Sequence, residues 1–122
     1  MAQLLIVDDE EDVRQFAANF FRKRKVDVAS VSSGEEAISV VEKDPPELVL
    51  LDIKLTGMDG LETLRLIKEK KSDIKVIMVT GRKPEEENTL ERCKQLGALN
   101  YIHKPLELQE LERIVLSLLE NK

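Results

Sequence analysis

One cysteine, one histidine, one tyrosine and no tryptophan occur in 122 residues. A lone thiol, Cys93, excludes a disulfide within one copy of the chain and points to a reducing compartment. The N-terminus, Met-Ala-Gln-Leu-Leu-Ile-Val-Asp-Asp-Glu, holds four consecutive large apolar residues before acids begin, too few for the core of a secretion signal. No apolar run reaches the length of a membrane span, so a cytoplasmic location with no membrane partner is expected. Basic residues are outnumbered, 19 against 24 acids, for a net charge of −5. That balance repels nucleic acid, and direct nucleic acid binding is not expected. The one basic run, Arg22-Lys23-Arg24-Lys25, reads better as a helix end, where cations offset the negative pole of the dipole.

No internal repeat, low-complexity tract or linker interrupts the chain. Its length fits one domain over residues 1–122, and an apolar content of 42% excludes disorder. Short apolar runs at 4–7, 26–31, 48–51, 76–79 and 99–102 predict five strands. Several are apolar on consecutive residues, as suits strands covered on both faces of a parallel sheet. The run 26–31 alternates more and is placed at an edge.

Between the runs the apolar period becomes helical. Val13, Phe16, Ala17, Phe20 and Phe21 form the first stripe. Ala37, Ile38 and Val41 form the second, and Leu61, Leu64 and Ile67 the third. Leu90, Cys93 and Leu96 form the fourth, which makes Cys93 core filler. Leu111, Ile114, Val115 and Leu118 form the fifth. Ser32 with Glu35, or Ser33 with Glu36, predicts a capping box, as does Asp59 with Glu62. Gly97 suits a left-handed helix end, and Pro45-Pro46 stops the second helix. The order is βα five times, an open parallel sheet with helices on both faces.

Ligands of such sheets bind beyond the carboxyl ends of the strands. Asp8 and Asp9 come after the first strand, Asp52 after the third, Thr80 after the fourth and Lys104 after the fifth. Any one of them has a plain structural reading as a cap, a turn residue or a solvated cation. Their joint placement does not. Three carboxylates in one pocket repel, by about 4 kcal/mol for unit charges about 4 Å apart at an effective dielectric of about 20. Either a proton or a cation must relieve them. Oxygen-only ligands select a hard dication such as Mg²⁺, which also neutralises an incoming phosphoryl group. Lys104 supplies a compact positive charge for a phosphate oxygen, and Thr80 a hydrogen bond for another. Asp52, on the strand placed centrally, is left as the nucleophile.

Four stretches carry a family resemblance: Leu-Ile-Val-Asp-Asp-Glu near 4–10, Leu-Leu-Asp-Ile-Lys-Leu-Thr-Gly-Met-Asp-Gly at 50–60, Val-Thr-Gly at 79–81 and Tyr-Ile-His-Lys-Pro-Leu at 101–106. In this order the chain resembles, over its whole length, the receiver domain of two-component response regulators. The resemblance implies a flavodoxin-like fold with strand order 2-1-3-4-5, and phosphoryl transfer to Asp52 from a histidine kinase or phosphotransfer protein. It implies Mg²⁺ bound by Asp9, Asp52 and the main-chain carbonyl of Lys54, with Asp8 acting through water. It assigns Thr80, with Gly81 beside it, Lys104 and Tyr101 to the phosphate site and its switch. It also implies a cis bond before Pro105 and an unknown downstream effector docked on the fourth helix, fifth strand and fifth helix. No turnover beyond self-phosphorylation and self-dephosphorylation is implied.

Three departures stand out. Thr56 replaces a common proline, so a less rigid loop is expected there. Lys54 and Arg82 place long cations at the two positions that flank the route of hydrolytic water, where they would change the lifetime of the phosphoryl group.

Competing readings fit less well. A phosphate-independent scaffold of the same fold would lack one of Asp8, Asp9, Asp52, Thr80 and Lys104, and all five are present. A metal-dependent phosphatase of the haloacid dehalogenase type would show Asp-x-Asp after the first strand. A nucleotide or flavin site needs an amide-rich first loop, whereas Asp8-Asp9-Glu10-Glu11-Asp12 repels phosphate. His103 neighbours Lys104, so alternation turns it away from the pocket, and Tyr101 shares its side. The chain is expected to be a stand-alone regulator or a piece of a longer one.

Overall fold

The computed structural model describes residues 3–81, 87–104 and 107–120. In chain order the elements are β1 (Leu4–Val7), α1 (Glu11–Arg22), β2 (Val28–Val31), α2 (Gly34–Lys43), β3 (Leu48–Asp52), α3 (Gly60–Lys70), β4 (Lys75–Thr80), α4 (Glu87–Gln95), β5 (Asn100–His103) and α5 (Leu108–Glu120). The strands form one sheet in the order β2-β1-β3-β4-β5, and every pairing is parallel. The expected fold class and the edge position of β2 are both found.

The unbroken apolar runs reflect two cores, one on each side of the sheet. Leu4, Ile6, Leu48 and Leu50 face α1 and α5, where Phe21, Leu111 and Val115 meet them. Leu5, Val7, Val49 and Leu51 face α2, α3 and α4, where Val41, Leu64, Ile67 and Cys93 meet them. Consecutive strand residues point to opposite faces, so each must be apolar. Burial raises the pKa of the Cys93 thiol against a small opposing pull from Arg92, which fits its role as filler.

Two local features depart from the periodicity. Phe16 is 60% exposed, and Ala18 is buried in its place with Ala17 and Phe21. The two alanines let α1 lie close to the sheet, which rotates Phe16 off the contact face. The second strand starts at Val28, because the preceding residues close α1. Lys25 adopts φ 65°, and the amides of Lys25 and Val26 donate to the carbonyls of Arg22 and Phe21. The basic run thus does end α1, with a lysine in the left-handed conformation that glycine usually takes.

The expected caps hold where they can be read. The Ser33 hydroxyl accepts from the Glu36 amide, while the Glu36 carboxylate accepts from the Ser32 amide. The Asp59 carboxylate accepts from the Glu62 amide. Gly97, at φ +106°, ends α4 with paired bonds from Gly97 to Lys94 and from Ala98 to Cys93.

Gly60 begins α3 against the end of β3. A Cβ there would overlap the Asp52 carbonyl oxygen and lie 2.6 Å from Ile53 Cα and 2.8 Å from Ile53 O. Backbone cannot swing aside as a side chain can, so this glycine sets how tightly α3 seats beside Asp52. Gly60→Ala is expected to lower stability by about 1–3 kcal/mol, read as a lower urea midpoint at unchanged slope.

Candidate functional site

The carboxyl edge of the sheet gathers charged groups from three strands. β1 runs out into Asp8, whose Oδ1 accepts the Glu10 amide at 2.9 Å and fixes the turn into α1. β3 ends on Asp52, whose Oδ1 accepts the Lys54 amide at 3.2 Å. β4 ends on Thr80, whose carbonyl accepts the Lys104 amide at 2.7 Å just past β5. Asp8, Asp52 and Thr80 are each no more than 4% exposed.

Lys104 is the hub. Its Nζ lies 3.0 Å from Glu10 Oε1, 3.1 Å from Asp52 Oδ2 and 3.2 Å from Asp8 Oδ2. Gly81 lies beside its stem, where an added Cβ would sit 3.8 Å from Lys104 Cδ. Asp9, Glu10, Asp52, Lys54, Gly81 and Lys104 line an open cleft of about 450 Å³.

Charge is unbalanced here. Burial, followed by the negative charge of Asp8, pushes the Asp52 carboxyl up to about 6, against the hydrogen bond and charge of Lys104. Burial also works against the charge of Lys104. The hydrogen bonds that the ammonium donates to Glu10 and Asp52, with the charges of Asp52 and Asp8, outweigh it and hold the ammonium above the usual lysine range. Asp8, Glu10 and Asp52 each offer an oxygen within 4.8 Å of the others. Clustered carboxylate oxygens, one of them driven toward protonation, fit a hard dication such as Mg²⁺.

Asp9 lines the same cleft but is bonded to the loop after β3. Its Oδ2 accepts both the Thr56 amide at 3.2 Å and the Thr56 hydroxyl at 2.9 Å. Asp9 is not among the carboxylates gathered within 4.8 Å, as judged among the described residues. Thr56, where a less rigid loop is expected, bonds through its amide and hydroxyl to Asp9 just past β1. Glu10 takes a place in the cluster that the sequence did not assign to it; the signal was its position in the acid run, read there only as a source of repulsion. Tyr101 is 37% exposed, and its ring meets His103 edge-on at 5.8 Å, on the side alternation predicts. Pro105 and Arg82 lie outside the described residues.

Residues 4–116 match the response regulator receiver domain family. Sporulation initiation phosphotransferase F of Bacillus subtilis is 35% identical over 113 residues, 93% of this chain and 90% of that protein. The alkaline phosphatase synthesis transcriptional regulatory protein PhoP of the same organism is 31% identical over 96% of this chain, which spans 48% of PhoP. Among solved structures, a CheY-like response regulator receiver domain protein from Methanospirillum hungatei JF-1 superposes with a TM-score of 0.90 at 27% identity, covering 99% of this chain and 95% of the other. The receiver domain of NtrX from Brucella abortus gives 0.87 at 29% identity, covering 98% of this chain and 99% of the other.

The raised Asp52 pKa fixes a sign for stability. Below the unfolded value of 3.8 both states hold the proton; between there and about 6 only the folded state does, so stability falls as pH rises, then levels off. Asp52→Asn removes this loss. In metal-free buffer the stability gap between Asp52→Asn and parent should therefore widen, in favour of the variant, from pH 4 to pH 7, by on the order of 1–3 kcal/mol. Paired urea titrations at the two pH values check it, and a gap independent of pH would contradict the charge imbalance.

Proposed function

This chain belongs to the response regulator receiver domain family, and we propose that within it Asp52 is the phosphoryl acceptor. The observation that carries this reading is the setting of the Asp52 carboxylate. It is 4% exposed yet lines the open cleft, with the Lys104 ammonium 3.1 Å away. An oxygen of Asp52 attacks phosphorus and forms the O–P bond. The bond from phosphorus to the donor breaks, and its electron pair leaves with the imidazole of a histidine kinase or phosphotransfer protein. Lys104 offsets charge on a phosphoryl oxygen, and the Thr80 hydroxyl donates to another, with Gly81 leaving room beside it.

Mg²⁺ fits the donor set. Asp8, Asp9, Asp52 and the carbonyl oxygen of Lys54 would hold it, and when bound it supplies positive charge for the phosphoryl oxygens. Glu10 competes for Lys104 in its absence. Tyr101 starts from an outward position against His103. An inward turn of its ring, following Thr80 toward the phosphoryl group, would alter the face made by α4, β5 and α5, where a downstream effector would dock. This is a switch that changes state rather than an enzyme that turns over a separate substrate. No helix among the described residues is long and apolar enough to cross a membrane.

The test is intact-mass spectrometry after incubation with acetyl phosphate and Mg²⁺. The parent should gain one phosphoryl mass, which should be absent when chelator replaces Mg²⁺ in the incubation and absent in Asp52→Asn. A phosphoryl mass retained by Asp52→Asn would move the acceptor elsewhere. Mg²⁺ should also raise the parent's melting temperature at pH 7, since a ligand that binds only the folded state stabilises it. A flat titration would count against the cation site.

A further inference from the structure

We propose that Thr56 is a positioning residue that ties one oxygen of the Asp9 carboxylate, at the rim of the cleft, to the loop after β3, so that Thr56 and a divalent cation compete for Asp9. This rests on the reading above that the pocket binds Mg²⁺, and adds a residue that sets how tightly. Asp9 and Thr56 are 47 positions apart in the chain, and the loop between β3 and α3 is held to the end of β1 by their contact. Two donors of one residue, amide and hydroxyl, converge on a single oxygen, Asp9 Oδ2, at 3.2 and 2.9 Å. Hydrogen bonds to an ionised carboxylate are stronger than neutral ones. An oxygen that accepts two of them has both in-plane lone pairs engaged.

The rest of the cluster makes the displacement informative. Asp8, Glu10 and Asp52 are drawn together around Lys104, whereas Asp9 is turned to the loop. Asp9 still feels the pocket, since its charge adds, as the smallest of the named influences, to the upward push on Asp52. Moving Asp9 toward Asp52 therefore costs twice in the cation-free protein: the bonds to Thr56 are lost and the repulsion from Asp52 grows. A dication removes the second cost and leaves the first. The residue at position 56 then tunes cation affinity by the number of donors it offers. Threonine offers two, valine offers the amide alone, and proline offers none. Cation binding also frees the Thr56 amide from its acceptor, which couples the pocket to the loop ahead of α3.

Isothermal titration with MgCl₂ at pH 7 on the whole chain tests this with parent, Thr56→Val and Thr56→Pro. The magnesium dissociation constant should fall on the order of fivefold in Thr56→Val, the equivalent of one net hydrogen bond, and further in Thr56→Pro. Amide hydrogen exchange on the parent gives a reading that needs no variant: the Thr56 amide should be protected without Mg²⁺ and lose protection at saturation. A parent that binds Mg²⁺ with unchanged or weaker affinity in Thr56→Val overturns the latch and leaves the cation site standing, as does protection of Thr56 that persists at saturation. A parent and variants that all give no binding heat and no change in exchange overturn the cation site itself, and the latch with it.

Discussion

A single ammonium among gathered carboxylates is the constraint on which the site depends. Lys104 Nζ reaches Asp8, Glu10 and Asp52 at 3.0 to 3.2 Å, and its side chain is only 18% exposed. Removing Lys104 from such a cluster would leave Asp8 and Asp52 buried without a counter-charge, which costs more than an exposed pair ever gains. Lys104 therefore holds the end of β5 to the ends of β1 and β3. Because it is outnumbered, the pocket keeps an unmet demand for positive charge. That demand appears as the raised Asp52 carboxyl, and a hard cation or a proton answers it.

Sheet order is what allows so few residues to do this. β1 and β3 are neighbours, β4 lies beyond β3, and β5 beyond β4. Groups at successive strand ends thus stand side by side although 94 positions separate Glu10 from Lys104 in the chain. The main-chain bond from Lys104 to the Thr80 carbonyl ties the lysine's backbone to the end of β4. Tyr101 and His103 alternate onto the outer side, so β5 presents chemistry at its end and an aromatic pair on its face.

Much of this was legible because it is periodic. Consecutive apolar residues in β1 and β3 announced strands with two covered faces, and the looser alternation of Val26-Asp27-Val28-Ala29-Ser30-Val31 announced an edge. Asp8, Asp52, Thr80 and Lys104 were legible from position alone, each standing just past the end of an apolar run. The features that stayed hidden depend on contacts that leave no period. Phe16 fits the stripe of α1, but the close approach allowed by Ala17 and Ala18 decides which side of that stripe is covered. Lys25 at positive φ reflects how the chain must turn to reach β2, a demand of the sheet and not of the residue. The bonds from Thr56 to Asp9 join two loops by side-chain chemistry alone. Glu10 was one acid among five in sequence, and only the position of Lys104 singles it out.

The acids also help to define the fold they occupy. A strand buried on both faces is apolar throughout, so a one-residue slip, which turns every side chain to the other face, is opposed by the shapes of the packed side chains but not by their polarity. The charged ends add a polar mark. A slip by one residue, about 3.3 Å, in the direction that draws β1 or β3 inward would pull Asp8 or Asp52 between the two cores and away from Lys104. At the opposite edge, the Gln3 carbonyl accepts from the amides of Glu47 and Leu48, which fixes the start of β3 against the start of β1. The observed register, Val7 beside Leu51 and Asp52 beside Val79, is the one that keeps both carboxylates at the rim. Charges that weaken the folded state at neutral pH thereby exclude its nearest competitors, so the same residues specify the sheet and leave its edge ready to receive a phosphoryl group.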